Sequence, residues 1–169
     1  MFRQAFVTAL VLATAVFLAC AVPAPAADGS PVGWTVSQIT ENSSADEWPQ
    51  IDPNHPNIVW QRTLPGGDSE IWYWNFRLGG GRQLTINDTE DVNPQIYGDV
   101  VVWEGRDTDG DWEIYLYRFS SELTTKLSNN SWDDSQVQIS GALVCWVSSS
   151  PVGDSVYVYN TVNRTLWMP

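Results

Sequence analysis

A tryptophan that recurs every 43 residues is the feature that most constrains this chain. Trp60, Trp103 and Trp146 each end a short apolar run, reading IVW, VVVW and LVCW. Three more markers keep the same register: PQI, PQI or VQI before the run, IWYW, IYLY or VYVY after it, and a closing RQLT, TKLS or, more weakly, RTL. Self-similarity at a fixed period of this length indicates stacked structural repeats. We therefore expect about three copies of one unit.

Each unit is predicted to consist of four short β-strands. Its runs are β-branched and aromatic, and Gly, Pro, Asn, Asp and Ser bound them, which is typical of strands joined by turns. No helical periodicity appears in this part of the chain. Runs such as VVVW and IYLY are apolar on both faces, so both sheet faces must be covered. A two-layer sandwich would leave one polar face on most strands. The predicted fold class is therefore all-β, a β-propeller of three four-stranded blades.

The middle unit, residues 83–128, resembles the WD40-like propeller repeat of the TolB family. The shared pattern is a Leu-Thr step, an acidic and polar loop, a proline, an apolar run, an Asp/Gly-rich turn and Trp-x-Ile-Tyr. Residues 38–82 match it well and residues 126–166 more loosely, but Tyr97-Gly98-Asp99 replaces the usual Ser-Pro-Asp-Gly turn. The resemblance implies a propeller. Family members include periplasmic scaffolds, surface proteins and non-catalytic domains of serine peptidases, so it implies no single function.

The first 26 residues are predicted to be a signal peptide. Arg3 precedes the apolar run Ala5–Val22, and Ala24-Pro25-Ala26 forms a small-x-small cleavage site. Residues 27–33 then form a short linker, and residues 34–169 hold approximate repeats 38–82, 83–125 and 126–169. We expect export to the periplasm or the cell exterior, without membrane insertion after cleavage.

Cys20 lies inside the predicted leader and leaves two alternatives open. A retained membrane anchor is the first, and a lipoprotein attached through Cys20 is the second. If Cys20 is removed with the leader, Cys145 is the one remaining cysteine. We expect it to be a buried thiol that packs as a small hydrophobe.

The charge of the chain excludes two classes of partner. A formal net charge of −12 argues against nucleic acid, whose phosphates require a cationic surface. It argues equally against anionic membrane surfaces. The charge is compatible with solubility outside a cell and with cation binding.

Three blades are too few to form a closed propeller ring. Propellers typically have four to eight blades, so three leave blade faces rich in Trp and Tyr exposed to water. The repeat region also begins with an additional strand-like copy at Trp34–Thr40. Two explanations stay open: self-association, in which a homodimer has six blades, or a fragment of a longer propeller protein.

A carboxylate-rich loop after the second Trp run is a candidate calcium site. Alternate residues carry oxygen ligands, which can converge on a hard cation if the loop curls. The helix-loop-helix calcium pattern fails, because Trp112 stands where its glycine belongs. A Gly-Asp pair recurs in every copy as ordinary hairpin chemistry, so a solvated turn is the alternative. The candidate ligands are Asp107, Asp109, Asp111 and Glu113.

Other candidate binding residues recur in the loops. Acidic residues before the first strand of each unit predict either structural loops or a negative mouth that attracts cations or basic peptides; they are Asp46, Glu47, Glu90, Asp91, Asp133 and Asp134. Trp112 and Trp132 also fall in loops. Each is expected either to stack on a sugar face or to pack on a neighbouring blade.

The sequence offers little catalytic chemistry. His55 is the single histidine and is expected to be exposed, so a zinc site lacks a second histidine or paired thiols. No Gly-x-Ser-x-Gly motif surrounds a serine, and no carboxylate pair stands out for glycoside cleavage. We predict an exported, non-catalytic propeller that binds or assembles proteins. The alternatives are a propeller lectin formed by oligomerisation and a propeller-based hydrolase.

Overall fold

A computed structural model describes residues 36–167. The predicted signal peptide and linker, residues 1–33, lie outside the described residues. Those described contain no helix, and hence none long and apolar enough to cross a membrane. They form twelve strands: β1 Ala45–Ile51, β2 Asn57–Thr63, β3 Ser69–Asn75, β4 Gly80–Gln83, β5 Asp91–Tyr97, β6 Val100–Arg106, β7 Trp112–Arg118, β8 Leu123–Lys126, β9 Asp134–Ser140, β10 Leu143–Ser150, β11 Gly153–Asn160 and β12 Thr165–Trp167.

The strands form three antiparallel sheets of four, each in chain order: blade 1 is β1–β4, blade 2 is β5–β8 and blade 3 is β9–β12. The prediction of an all-β fold of three four-stranded units is confirmed. The additional strand-like copy at Trp34–Thr40 is not a strand in its described part, residues 36–40. The first hairpins of blades 2 and 3 turn through Gly98 and Gly141, whose φ values of 59° and 58° favour glycine.

The first strand of every blade has a β-bulge at the same point of the repeat. A non-glycine residue with positive φ lies in each bulge: Trp48 at 52°, Asn93 at 53° and Gln136 at 58°. Bulges bend a strand and redirect its side chains. The repeated bulge therefore sets the direction of the acidic residue two positions earlier, at the start of each blade.

Blade 2 is covered on both faces because successive residues of β6 point to opposite sides. Val101 and Trp103 pack with Val59 and Ile71 of blade 1. On the other side, core residues of blade 2 pack against blade 3; this cluster comprises Val100, Val102, Ile114, Leu116, Val137, Val144 and Trp146. Each fully buried aliphatic side chain contributes about 2 kcal/mol. The apolar runs of the middle repeat thus have the two-sided burial that their composition predicts.

Candidate functional site

A cleft of about 550 Å³ lies at the segment that joins blade 1 to blade 2. We call it the blade-2 cleft; its lining includes Asn87, Asp91, Trp103, Asp107, Tyr115 and Lys126. Asp91 Oδ1 accepts a hydrogen bond of 2.7 Å from Trp103 Nε1, and its Oδ2 accepts one of 2.6 Å from Asn87 Nδ2. Burial raises the pKa of Asp91 to about 6, although these hydrogen bonds oppose the shift. Asp91 therefore holds the central tryptophan of its blade in place.

The candidate calcium loop lies beside this cleft, between β6 and β7. Asp107, Asp109 and Asp111 each bring one carboxylate oxygen within 4.8 Å of the others. The chain curls here because Gly110 has a φ of 93° and its N–H donates to the Asp107 carbonyl, 3.2 Å away. Both carboxylate oxygens of Asp111 are buried, and no described residue forms a hydrogen bond with them. Burial, together with the neighbouring Asp107, raises the pKa of Asp111.

Lys126 supplies a cation to this loop. Its Nζ lies 2.5 Å from Asp107 Oδ2 and 3.4 Å from Glu113 Oε1. The hydrogen bond from Lys126 holds the pKa of Asp107 well below its usual range. Burial lowers the pKa of Lys126, but its bond to Asp107 and the negative charges of Asp107 and Glu113 together outweigh this, so the net shift of the pKa is upward. The ammonium thus already neutralises one of the three converging carboxylates.

Glu113 lies outside this cluster of three carboxylates. It is fully buried, accepts a hydrogen bond of 2.8 Å from Asn130 N and accepts another from the Ser128 hydroxyl. Burial raises the pKa of Glu113 against these bonds. Glu70 of blade 1 accepts in the same way from Asn87 N, at 2.9 Å. These glutamates therefore fasten each connecting segment to the blade before it, a role that sequence analysis missed although Glu-Ile recurs in two copies.

The six acidic residues of the expected mouth separate into two kinds. Asp46, Asp91 and Asp134 occupy one repeat position, and the first two accept from the central tryptophan of their blade. Asp46 Oδ1 accepts from Trp60 Nε1 at 2.9 Å and from Arg62 Nε at 2.6 Å. The others are exposed or half-buried: Glu47, Glu90 and Asp133. Asp46 is exposed as well, but its charge is paired with Arg62.

A second cleft, of about 280 Å³, repeats the first one at the junction of blades 2 and 3. We call it the blade-3 cleft; its lining includes Asn130, Trp132, Asp134, Trp146, Ser148 and Tyr157. Asp134 Oδ2 accepts from Asn130 Nδ2 at 2.7 Å, as Asp91 does from Asn87. In contrast to blade 2, Asp134 Oδ1 and Trp146 Nε1 are buried with no hydrogen-bond partner among residues 36–167. One acceptor and one donor are thus unsatisfied in the same cleft.

Trp132 lies in a loop as expected, but the placement of Trp112 in a loop is wrong, because Trp112 is the first residue of β7. Trp132 lines the blade-3 cleft and is 43% exposed. Trp112 is half-buried, and the Arg106 guanidinium lies 4.7 Å from the centroid of its ring. One face of Trp112 is therefore covered, whereas Trp132 offers an aromatic surface at the edge of a cleft.

His55 is exposed, as expected. Its Nδ1 lies 2.9 Å from Asp52 Oδ2, and the same oxygen accepts a bond of 3.1 Å from Gly98 N. This pair connects the β1–β2 turn of blade 1 to the first hairpin turn of blade 2.

Two blade faces lack a neighbouring blade within residues 42–167. On blade 1 this face carries Trp60 and Trp72, stacked with centroids 6.4 Å apart, and the Arg62 guanidinium lies 4.1 Å from the Trp72 ring centroid. On blade 3 strand alternation places aliphatic side chains opposite the packed Val144 and Trp146; they are Leu143, Cys145, Val147, Val156 and Val158. Cys145 is half-buried, not buried as expected. The face of blade 1 is aromatic, and its Trp60 is 5% exposed; the face of blade 3 is aliphatic, and its Val156 is 59% exposed.

No protein-family model and no curated protein matches the sequence. Solved structures do match. TolB from Acinetobacter baumannii is 17% identical with a TM-score of 0.58, over 77% of this chain and 33% of that one. The propeller domain of the Trilobed protease from Pyrococcus furiosus is 11% identical with a TM-score of 0.58, over 75% and 43%.

A puromycin-hydrolyzing peptidase from Mycobacterium tuberculosis is 14% identical with a TM-score of 0.56, over 74% of this chain and 20% of that one. The chain therefore spans less than half the length of these three proteins. At such identities the likeness describes the fold, which is that of a TolB-like β-propeller in partial form.

Proposed function

We propose that this chain is an exported, non-catalytic propeller module that works by binding protein, and that its partner is a second copy of the same chain. The observation that carries the proposal is the pair of blade faces that lack a neighbouring blade within residues 42–167. On the aliphatic face of blade 3, Leu143 and Val156 are 47% and 59% exposed, and Trp60 and Trp72 form the aromatic face of blade 1. Large apolar faces of this kind are typical of interaction sites.

The junctions between neighbouring blades of this chain show how two such faces pack. Between blades 1 and 2, Val59 and Ile71 pack with Trp103; between blades 2 and 3, Val102 and Ile114 pack with Trp146. Each junction therefore joins the aliphatic face of one blade to the aromatic face of the next. Blade 3 of one copy against blade 1 of another would repeat that combination.

A head-to-tail contact of this kind closes a ring when it is made twice. Two three-bladed chains would supply six blades, within the usual range for propellers. The new junction would differ at one point. Gln61 and Glu104 accept hydrogen bonds from the next blade, from Asn93 N at 3.0 Å and Val137 N at 3.3 Å, whereas Val147 at the same position of blade 3 cannot accept one.

A non-catalytic role is supported by how the reactive side chains are engaged. The single histidine pairs with Asp52 at the junction of two turns. Asp46 and Asp91 accept from tryptophan indoles, and Glu113 holds a connecting segment. Glu113 also accepts from the Ser128 hydroxyl, but the single histidine is engaged with Asp52, so this serine lacks the neighbouring base that activates a nucleophile.

Light scattering on residues 27–169 tests the association. We expect twice the mass of one chain for the wild type and a folded monomer for Val156→Asp, because Val156 is 59% exposed on the free face of blade 3. Val152→Asp is the matched control, since Val152 is 97% exposed in the turn between β10 and β11. A folded wild-type monomer would contradict self-association and favour further blades on a longer polypeptide.

A further inference from the structure

The blade-3 cleft has two buried polar atoms that the rest of the fold leaves unsatisfied. Asp134 is 0% exposed and Trp146 is 2% exposed, yet among residues 36–167 no hydrogen-bond donor reaches Asp134 Oδ1 and no acceptor reaches Trp146 Nε1. The carboxyl group of Glu113 is the titratable neighbour of Asp134. A buried acceptor or donor without a hydrogen bond costs about 1–3 kcal/mol. We therefore expect a further group to form hydrogen bonds with these two atoms.

The reason for the unsatisfied pair lies in one substitution between repeats. Asp91 pairs in register with Gly105, and Asp134 pairs with Ser148. A Cβ at Gly105 would lie 2.5 Å from Asp91 Oδ1, so the blade-2 arrangement cannot accept a serine unchanged. Arg62 occupies the position in blade 1 and binds Asp46 itself, at 2.6 Å. In blade 3 this position holds Ser148, which offers neither the close approach that Gly105 allows nor the guanidinium of Arg62.

The cleft around this pair combines the groups that recognise a sugar. A hydroxyl group can donate to Asp134 Oδ1 and accept from Trp146 Nε1 at the same time. Trp132, at the edge, offers a flat apolar surface for the C–H face of a pyranose ring. Tyr157, Asn130 and Ser148 line the remaining space of about 280 Å³, at the lower end of the range for ligand pockets. Because these groups flank a small space, one ring is the matching size.

We propose that the blade-3 cleft binds a single pyranose unit, with Asp134 and Trp146 as polar anchors and Trp132 as the stacking surface. This site is independent of the proposed association, since it rests on unsatisfied atoms between blades 2 and 3 and not on a free face.

Amide NMR titration tests the site with D-glucose, D-galactose, D-mannose and N-acetylglucosamine as probes. At least one should shift resonances of Trp132 and Trp146 in the wild type. Trp132→Ala should weaken that binding about tenfold, the equivalent of one lost aromatic contact. Trp48→Ala, which removes another exposed tryptophan, should leave it unchanged.

Ser148→Gly is the sharper variant. It recreates the Gly105 arrangement, so Asp134 should accept from Trp146, the indole N–H resonance should move towards that of Trp103, and sugar binding should be lost. The proposal is overturned if all four sugars leave the wild type unshifted at millimolar excess, in which case the pair holds only water. Binding that survives both Trp132→Ala and Ser148→Gly would overturn it as well.

Discussion

The blade-2 and blade-3 clefts are built from the same repeat positions and differ in how their polar groups are satisfied. In the blade-2 cleft Asp91 bonds to Trp103 and Lys126 bonds to Asp107. In the blade-3 cleft the equivalent Asp134 Oδ1 and Trp146 Nε1 are buried without a hydrogen-bond partner in the described part of the chain. Repeats thus keep a common scaffold, while single side chains decide whether the polar groups of a junction bond to one another or remain available to a ligand.

The largest effect is expected when the blade-2 cleft receives the residue that blade 3 has at the same position, serine in place of Gly105. Gly105→Ser would place a Cβ 2.5 Å from Asp91 Oδ1 and 2.9 Å from the Tyr115 ring. Overpacking and the loss of a hydrogen bond to a buried carboxylate should together lower the free energy of unfolding by about 4 kcal/mol. Urea denaturation measures this value.

Gly80→Ser is the control for that substitution. A Cβ there meets nothing within 4 Å, so it should change stability by less than about 1 kcal/mol. Equal stability of the two variants would mean that the glycine does not govern the Asp91–Trp103 bond, and the proposed role of Ser148 would fail with it.

The pH dependence of stability gives the next largest effect. Asp91 has its pKa raised from 3.8 to about 6 by burial. The unfolded chain therefore releases this proton at a lower pH than the folded chain does. The contribution of Asp91 is fully present below pH 3.8 and is lost as the pH rises through 6. It amounts to about 3 kcal/mol.

Asp91→Asn should flatten this slope. We expect the loss of unfolding free energy between pH 4 and 7 to be smaller in the variant than in the wild type by about that amount. Urea denaturation at both pH values gives the difference, and Asp88→Asn, in the same connecting segment, controls for the removal of one charge. An unchanged slope in Asp91→Asn would refute a raised pKa at this site.

Much of this architecture could be predicted because it depends on local pattern. The period of Trp60, Trp103 and Trp146 gives the number of blades. Runs such as VVVW and IYLY are apolar on both sheet faces, and they predict that blade 2 is buried on both faces. These features follow from side-chain alternation and need no knowledge of distant contacts.

The clefts could not be predicted in the same way, because their chemistry depends on cross-strand register. Asp107, Asp109, Asp111 and Glu113 alternate in sequence, yet Glu113 enters the strand and reaches Asn130, 17 residues later. The contrast between Gly105 and Ser148 is visible in the sequence. Its consequence depends on which aspartate lies opposite each residue.

The smallest effect on stability is expected from replacing Lys126, whose ammonium group lies in the blade-2 cleft. Lys126→Gln removes the ammonium beside Asp107 and should lower stability by about 1 kcal/mol, as for a partly exposed ion pair. It also leaves three carboxylate oxygens within 4.8 Å of one another without that counter-charge. We therefore expect calcium to bind more tightly to Lys126→Gln than to the wild type, because the ammonium no longer competes for Asp107.

Calorimetric titration with calcium separates the two interpretations of this loop. Asp109→Ala in the Lys126→Gln background should abolish the heat, since Asp109 is the exposed ligand of the three. Arg77→Gln removes an exposed cation outside the cleft and should behave as the wild type. Identical heats for the single and double variants would mean that the loop is a solvated turn whose charge Lys126 balances. Asp91 and Asp107 in the blade-2 cleft would then bond to neighbouring side chains and not to a ligand, and the contrast with blade 3 would be sharper.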